Sequence, residues 1–121
     1  MHPTIHVLIC TQNLEAELSL QRFAENHPDV SAARSVDTWA EALDASSHYD
    51  LLFLDAAVIP TPEDLNRIQN GASVILLAAD PNDCRRFKGT RVRSCLIMPV
   101  SLESFQWTIR SVQPMYAEEM A

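Results

Sequence analysis

The stretch from Leu51 to Asp55 reads Leu-Leu-Phe-Leu-Asp, four consecutive apolar side chains followed by an acid. Successive side chains of a strand point to opposite faces of a sheet, so an apolar run without alternation predicts a strand that is covered on both faces. Residues 73–79 (SVILLAA) show the same pattern. Strands of this kind are typical of parallel sheets with helices on both sides, which predicts an α/β fold.

Upstream of this strand, residues 5–10 (IHVLIC) form another apolar run of strand length. Residues 14–26 then place Leu14, Leu18 and Phe23 among polar side chains at helical spacing, and the pattern ends before a proline. This order predicts a first strand followed by a first helix.

The next two segments predict an edge strand and a second helix. Residues 30–36 are half-polar, as expected at the edge of a sheet, and residues 38–45 form the helix. Thr38 and Glu41 have the spacing of a capping box, in which each side chain satisfies a backbone N–H of the other. The apolar side chains of this helix expected to point inward are Trp39, Ala42 and Leu43.

Downstream of Asp55, helix starts and strands continue to alternate. Residues 61–64 (TPED) combine a cap, a proline and two acids, which predicts a helix that ends at residues 70–71. Asp80 begins the next helix in the same way, residues 95–98 form the last strand, and Ser101 caps the last helix. The side chains of that last helix expected to point inward are Leu102, Phe105, Ile109 and Val112.

Five strands alternating with five helices predict a doubly wound parallel sheet within one domain, residues 1–113. Residues 114–121 are expected to be a C-terminal extension or the start of a linker to an output domain. No apolar run approaches the roughly 20 residues that span a bilayer, and no Lys or Arg precedes the first apolar run as in a signal peptide. Three cysteines without metal-like spacing are expected to be reduced. These features favour a cytoplasmic protein.

The formal net charge of -7 argues against general nucleic-acid binding, but the positive charge is concentrated. Five of the nine basic residues fall close together in the sequence: Arg85, Arg86, Lys88, Arg91 and Arg93. Such a patch on an acidic body suits an acidic protein partner, or a like domain in a dimer, and the alternative is a solvated helix face. Trp107 on the last helix is a candidate interface anchor, or it covers the edge of the sheet.

Polar residues at the carboxyl ends of the strands are the candidate site, because ligands of doubly wound sheets bind there. A small polar ligand at Thr11, Gln12 and Asn13 is one possibility, and a neutral hydrogen-bonded loop is the other. The four histidines are scattered, so no metal site is expected. Cys10 has no neighbouring base to act as a nucleophile, and no Gly-rich phosphate loop is present, so we expect no enzyme activity.

Three stretches together resemble the response-regulator receiver (CheY-like) family. Leu96-Ile97-Met98-Pro99-Val100-Ser101-Leu102-Glu103-Ser104-Phe105 resembles the family's strand-Lys-Pro-helix signature, and Tyr49-Asp50-Leu51-Leu52-Phe53-Leu54-Asp55 resembles the run that ends in its phospho-acceptor aspartate. Glu41-Ala42-Leu43 matches the Glu-Ala-Leu of the family's second helix. The resemblance implies a flavodoxin-like (βα)5 fold with Asp55 at the phospho-acceptor position.

The rest of the phosphotransfer machinery departs from the family pattern. The two acids that hold Mg²⁺ correspond to Thr11 and Gln12, and the Lys before the proline corresponds to Met98. The hydroxyl residue that turns toward the phosphoryl group corresponds to Ala78, and the aromatic switch residue corresponds to Cys95. The proline after the acceptor stands one position late, at Pro60, without its usual Gly. The resemblance therefore implies a degenerate pseudo-receiver, since each lost electrostatic group costs about 10²–10³ in rate.

Three functions follow as hypotheses. The first is a phosphorylation-independent module of bacterial signalling or transcription control, which dimerises or docks a protein partner through the helix after Asp80, the last strand and the last helix. The second is a divergent but active phospho-receiver, in which Asp55 is modified with Mg²⁺ recruited by Asp80; the alternative for Asp80 is a helix cap. The third is a small-ligand sensor at the strand ends. No cofactor is expected unless the second hypothesis holds.

Overall fold

In the computed structural model, which describes residues 4–68 and 71–112, five parallel strands form one sheet. The strands are β1 (Ile5–Cys10), β2 (Val30–Val36), β3 (Leu51–Asp55), β4 (Ser73–Ala78) and β5 (Val92–Ile97). Their order across the sheet is β2-β1-β3-β4-β5. The chain therefore builds outward from β1 in one direction and then, from β3, in the other. The predicted flavodoxin-like doubly wound fold is confirmed.

Helices cover both faces of this sheet. The α-helices of the described residues are α1 (Leu14–Glu25), α2 (Trp39–Ala45), α3 (Pro81–Arg86) and α4 (Leu102–Val112). Side chains from α1 and α4 share one apolar cluster, while α2 and Phe87, just after α3, belong to the cluster on the opposite face. No helix among the described residues is long and apolar enough to cross a membrane.

The central strand β3 contributes side chains to the apolar clusters on both faces of the sheet, as its apolar run predicts. Leu52 and Leu54 belong to one cluster, and Leu51 and Phe53 belong to the other. All five β3 residues are buried, whereas the edge strand β2 alternates between exposed and half-buried positions along most of its length. The Phe53 ring also stacks on Phe105 of α4, with centroids 5.7 Å apart. This contact fixes the last helix against the centre of the sheet.

The inward face of α1 differs from the predicted one. Leu14 and Leu18 are 66% and 58% exposed, and the buried residues are Ala16, Leu20 and Ala24. These three residues recur every four positions, which places them on one side of the helix. Leu14 and Leu18 stand two positions away from these residues, which is about 200° around the helix, so both leucines lie on the side that faces solvent.

The segment after β3 is a 3₁₀ helix, Pro62–Arg67, instead of the predicted longer helix. Thr61 and Asp64 form the expected capping box. Leu65 and Ile68 are both buried, and a 3₁₀ helix brings residues three apart onto the same side. The tighter turn therefore delivers both apolar side chains to the core. A second 3₁₀ helix, Ser46–His48, follows α2. The helix end was predicted at residues 70–71, and residue 70 lies outside the described residues.

The helix caps that were predicted from short-range spacing are present. One α4 side chain that was expected to be buried is exposed. The Thr38 hydroxyl accepts a hydrogen bond from the Glu41 N–H at 3.2 Å, and Ser101 Oγ accepts one from the Ser104 N–H at 3.1 Å. Among the α4 side chains expected to be buried, Leu102 is 49% exposed. It opens the helix, one turn before the Phe105 side chain reaches the sheet. Residues 114–121, predicted as an extension or linker, lie outside the described residues.

The expectation that all three cysteines are reduced is wrong for two of them. Cys84 of α3 and Cys95 of β5 form a disulfide, with their Cα atoms 5.9 Å apart. Only the tertiary fold brings the two together, because the sequence places one on a helix and the other on the next strand. Cys10 has a free, buried thiol.

Candidate functional site at the strand ends

A hydrogen bond joins the ends of the two central strands at the candidate site. The register pairs Cys10 with Leu54, so the residues that follow, Thr11 and Asp55, lie side by side. The Thr11 hydroxyl donates to Asp55 Oδ2 at 2.7 Å. Thr11 is fully buried and Asp55 is 5% exposed. The position where receivers carry a metal-binding acid therefore holds a neutral donor that is already directed at the acceptor carboxylate.

The second carboxylate oxygen of Asp55 is also occupied. Asp55 Oδ1 accepts a hydrogen bond from the Ala57 N–H at 2.9 Å, which orders the loop after β3. Hydrogen bonds of this kind are the usual structural use of an Asp at the end of a strand. Both oxygens of this side chain thus serve the fold.

The other predicted pocket positions bring no charge to Asp55. Gln12 is exposed, and its amide donates to the Asp37 carbonyl at 3.2 Å, on the β2 side of the sheet. Ala78 is buried and carries only a methyl group. Met98 is half-buried beside the apolar cluster under α1 and α4, and its N–H donates to the Ala78 carbonyl at 2.8 Å. These positions join neighbouring strands and place no charged side chain beside Asp55.

Arg86 reaches the site, although the sequence suggested only a surface role for it. Its Nη2 donates to the Ala56 carbonyl at 3.1 Å, next to Asp55 in the chain. The guanidinium carbon also stands 4.9 Å from the centroid of the Phe87 ring. Local sequence patterns do not predict this contact, because thirty residues separate Arg86 from Ala56. Arg86 therefore closes the loop after β3 against α3.

The residues at the strand ends do not fit the Mg²⁺ that the receiver fold implies. Mg²⁺ is bound through one or two carboxylates with octahedral geometry. Here Asp55 uses both oxygens on protein donors, and the Thr11 hydroxyl also accepts from the Asn13 N–H at 3.0 Å. Asp80 accepts from the N–H groups of Asn82 and Asp83 at 2.8 and 3.3 Å, which makes it the cap of α3. Among the described residues, no group of three or more His, Cys, Asp or Glu side chains is placed to hold a metal ion.

The thiol of Cys10 lies just before Thr11 and is kept protonated. Burial raises its pKa from 9.0 to about 12, and the carboxylates of Asp55, Glu41 and Asp37 add to the effect. Its Sγ donates to the Thr38 carbonyl at 3.4 Å. A thiolate is the nucleophilic form of cysteine, so this side chain is inert at neutral pH.

A cleft lies beside these residues, between the start of α1 and the loop after β5. Its volume is about 210 Å³, and Asn13, Ser19, Ala79, Met98 and Pro99 are among its lining residues. Thr11 and Gln12, predicted as ligand-binding positions, are not among them. The Asn13 side chain is used to cap α1 through the Ala16 N–H at 3.0 Å. The cleft therefore offers small polar and apolar contacts together with the carboxylate of Glu15.

The five clustered basic residues lie around α3 and β5, but they are not equivalent. Arg91 donates to the carbonyls of Ile68 and Ala72 at 2.6 and 2.8 Å, so it fastens the start of β5 to the segment before β4. Arg93 donates to the Ser111 carbonyl, which ties β5 to α4. The roles of Arg91, Arg93 and Arg86 are thus at least partly structural.

Arg85 and Lys88 are exposed, and the Arg85 guanidinium donates to Asn82 Oδ1 at 2.9 Å within α3. Trp107 is 63% exposed, so it points outward. It lines a groove of about 360 Å³ together with Arg93, Ser94 and Leu96. Exposed charge and an exposed aromatic ring therefore flank the edge strand β5.

Solved structures with the same fold include receiver domains and a protein from Burkholderia pseudomallei that is named as pilus assembly-related. The signal receiver domain of the response regulator named NarL from Mycobacterium tuberculosis superposes with a TM-score of 0.75 at 13% identity, over 91% of this chain and 97% of that one. The receiver domain of a protein named as a LuxO repressor from Vibrio parahaemolyticus gives 0.76 at 14%, over 98% and 95% of the two chains. No model of a known protein family matches the sequence, and no curated protein does either.

A third similar structure is a receiver domain solved with a metal ion. The receiver domain of a sensor histidine kinase from Pseudomonas aeruginosa has a TM-score of 0.74 at 13% identity, over 92% of this chain and 98% of that one. That structure holds a magnesium ion coordinated in its active site cleft. The present chain shares the fold of that domain.

Proposed function

We propose that this chain is a phosphorylation-independent receiver-like module, which acts in bacterial signalling or transcription control through contacts with protein. The observation that carries the proposal is the state of Asp55, a 5% exposed carboxylate whose two oxygens accept hydrogen bonds from Thr11 and Ala57. Phosphoryl transfer to this side chain would require those bonds to break without a metal or a lysine to compensate.

The proposed module works in the cytoplasm, has no catalytic activity of its own and binds neither nucleic acid nor membrane directly. The net charge of -7 supports the exclusion of nucleic acid. Receivers commonly regulate an output domain in the same chain, and we infer that such a domain, or a separate protein, receives the signal. The contact surface is the one around α3, β5 and α4, where Arg85, Lys88 and Trp107 are exposed.

An amide NMR titration with Mg²⁺ and then beryllofluoride, a mimic of the aspartyl phosphate, tests the proposal. We expect no saturable shift at Asp55, Ala78 or Met98 at millimolar metal. The matched control is the triple variant Thr11→Asp, Gln12→Asp, Met98→Lys, which restores two acids and a lysine around Asp55. Shifts in the control alone support the proposal, because they show that the missing side chains silence the site. Saturable shifts in the natural chain overturn it in favour of an active phospho-receiver.

The cleft of about 210 Å³ beside Asn13 and Ala79 supports a second candidate, a small-ligand sensor. A ligand that binds only the folded state raises the melting temperature as its concentration increases. A screen of polar metabolites by thermal shift, followed by NMR mapping to Ser19 and Pro99, tests this candidate. Stabilisation without shifts at the cleft contradicts it.

The contact surface needs variants that leave the fold intact. Charge reversal at Arg86 or Arg91 is unsuitable, because both guanidinium groups donate to backbone carbonyls of distant segments. Arg85 and Lys88 are the better positions, since Arg85 bonds only within α3 among the hydrogen bonds described above and both side chains are exposed. A partner complex that survives Asp55→Ala and is lost on charge reversal at these two residues is the expected result.

A further inference from the structure

The charges of this chain are segregated along its sequence. Residues 4–68 contain three basic and eleven acidic side chains, whereas residues 71–112 contain six basic and three acidic ones. The first range therefore carries a formal charge of -8 and the second +3. The first range builds β2, β1 and β3, and the second builds β4 and β5. Because the sheet order is β2-β1-β3-β4-β5, the division along the chain becomes a division across the molecule.

Opposite charges consequently lie at opposite edges of the sheet. We define the basic edge as Arg85, Lys88 and Arg93, on and after α3 and on β5. We define the acidic edge as Asp37, Glu41 and Asp44, between β2 and α2 and along α2. All six residues are exposed, and β5 and β2 are the outermost strands of the sheet. Because α2 packs on β1 and α3 packs on β4, the acidic and basic groups lie on opposite halves of the sheet.

Neither edge is neutralised by the ion pairs that the structure shows between His27 and Asp29 and between Arg67 and Asp64. Charges of the opposite sign also lie near the edges, and Asp80 at the start of α3 is exposed with its carboxylate capping that helix. Arg34 on β2 is exposed, and Asp83 in α3 is half-buried with its carboxylate accepting from the Ala79 N–H at 3.2 Å. The exposed Arg85 and Lys88 therefore present positive charge, and the exposed Asp37 and Asp44 present negative charge, to a complementary surface.

The segregation determines which symmetry of self-association is favourable. In a two-fold dimer the same patch meets itself, so a contact through the basic edge would oppose like charges. In a head-to-tail contact the basic edge of one copy meets the acidic edge of the next. The five strands are parallel, and the core cluster on one face of the sheet contains both α2 side chains and Phe87, just after α3. A side-by-side translation of one copy therefore brings α2 close to α3 of its neighbour.

We propose that the partner of the basic edge is a second copy of this chain, docked head-to-tail through its acidic edge. This inference rests on the proposed function, because it names the partner of the protein-binding module. The exposed Ile97 at the end of β5, 44% exposed, adds apolar area to the basic side of the contact. Because the contact leaves one edge free on each terminal copy, the association is open-ended at low ionic strength.

Sedimentation equilibrium of the full chain, with two variants, tests the proposal. The basic-edge variant is Arg85→Glu with Lys88→Glu, and the acidic-edge variant is Asp37→Lys with Asp44→Lys; Glu41 is left unchanged because it belongs to the cap of α2. The natural chain is expected to exceed the mass of one chain increasingly with concentration at low ionic strength. It should return to one chain in about 1 M salt, where the Debye length is about 3 Å.

Each variant alone is expected to stay at the mass of one chain, since it lacks one of the two complementary edges. An equal mixture is expected to associate again, because the intact basic edge of one variant meets the intact acidic edge of the other, and the two reversed edges are complementary in charge as well. Circular dichroism melts establish that both variants are folded. If either variant is unfolded, it is replaced by a single substitution, Lys88→Glu for the basic edge or Asp44→Lys for the acidic edge.

Three results overturn the proposal: a natural chain that stays at one chain at low ionic strength, an acidic-edge variant that still dimerises, or a folded mixture that does not pair. The first leaves the basic edge to a different acidic protein, and the second indicates a two-fold dimer. The proposed function is decided separately by the Mg²⁺ and beryllofluoride titration. If the titration produces no saturable NMR shifts and the chain is monomeric, only the head-to-tail contact is refuted. If the titration produces saturable shifts, the proposed function is refuted, whatever mass sedimentation gives.

Discussion

Thr11 and Asp55 form a buried hydrogen bond in which a hydroxyl supports a carboxylate at 2.7 Å. Removing a donor from a buried charged acceptor costs about 2 kcal/mol, because the acceptor loses its partner without regaining water. We therefore expect Thr11→Val to lower the free energy of unfolding by about 2 kcal/mol in urea denaturation. Thr11→Ser is the matched control, since it keeps the hydroxyl. A serine variant less stable than the valine variant would show that packing of the methyl group dominates.

Cys10 makes the stability depend on pH in the alkaline range. Its pKa is about 12 in the folded protein and 9.0 in the reference state, so the folded chain holds this proton more tightly. The stabilisation is complete below pH 9 and is lost as the pH rises toward 12. The loss is at most about 1.4 kcal/mol per pH unit.

Urea denaturation between pH 8 and 10.5 checks this expectation. The comparison is made in the Cys84→Ala, Cys95→Ala background, so that no disulfide can exchange. Replacing Cys10 by Ala is expected to make the decline above pH 9 shallower, because alanine cannot ionise. Equal slopes with and without Cys10 would contradict the raised pKa.

At the scale of elements, the Cys84–Cys95 disulfide fixes α3 to β5 across 11 positions of sequence. A crosslink of that length stabilises a fold by about 3 kcal/mol, mainly because it restricts the unfolded chain. We expect Cys84→Ser with Cys95→Ser to lower the free energy of unfolding by about this amount. Amide exchange should increase most in residues 81–91.

Dithiothreitol provides the control for this experiment. It should shift the denaturation midpoint of the natural chain toward that of the double variant, and it should leave the double variant unchanged. The denaturation midpoint of the natural chain could stay the same although dithiothreitol has fully reduced Cys84 and Cys95. That result would show that the crosslink contributes nothing to stability.

At the scale of the whole molecule, we expect the segregated charges to let the domain bind both an anion exchanger and a cation exchanger. The net charge of -7 predicts retention on an anion exchanger at pH 7. Because Arg85 and Lys88 project from one edge, we also expect measurable retention on a cation exchanger at low ionic strength. The variant Arg85→Glu, Lys88→Glu should lose the second retention and keep the first. A basic-edge variant that keeps its retention on the cation exchanger would contradict a localised basic edge. An Asp37→Lys variant that loses this retention equally would contradict it as well.

Sequence patterns predicted the features that depend on short-range chemistry. The apolar runs at Leu51–Asp55 and Ser73–Ala78 place central strands because burial on both faces removes alternation. The caps at Thr38 and Asp80 were predictable because their partners lie within three residues. The fold of the whole domain follows from the alternation of such elements.

Features that depend on distant partners were not predictable in this way. The inward face of α1 is set by Ala16 and Ala24, and small residues carry little weight in a search for large apolar ones. The contact of Arg91 with the carbonyls of Ile68 and Ala72 depends on where two loops meet. The absence of a receiver's acids at Thr11 and Gln12 was visible in the sequence, whereas the hydrogen bond from Thr11 to Asp55 required the register of β1 and β3.

The two tryptophans give this domain a built-in optical reporter for each edge. Trp39 belongs to α2 and is 9% exposed, while Trp107 on α4 is 63% exposed beside the groove along β5. Iodide in solution quenches the emission of an indole that it can touch, so the natural chain should show a readily quenched, red-shifted population and a protected, blue-shifted one. Any partner that covers the groove along β5 will shield the first population and leave the second unchanged, which makes binding at that side visible without a label.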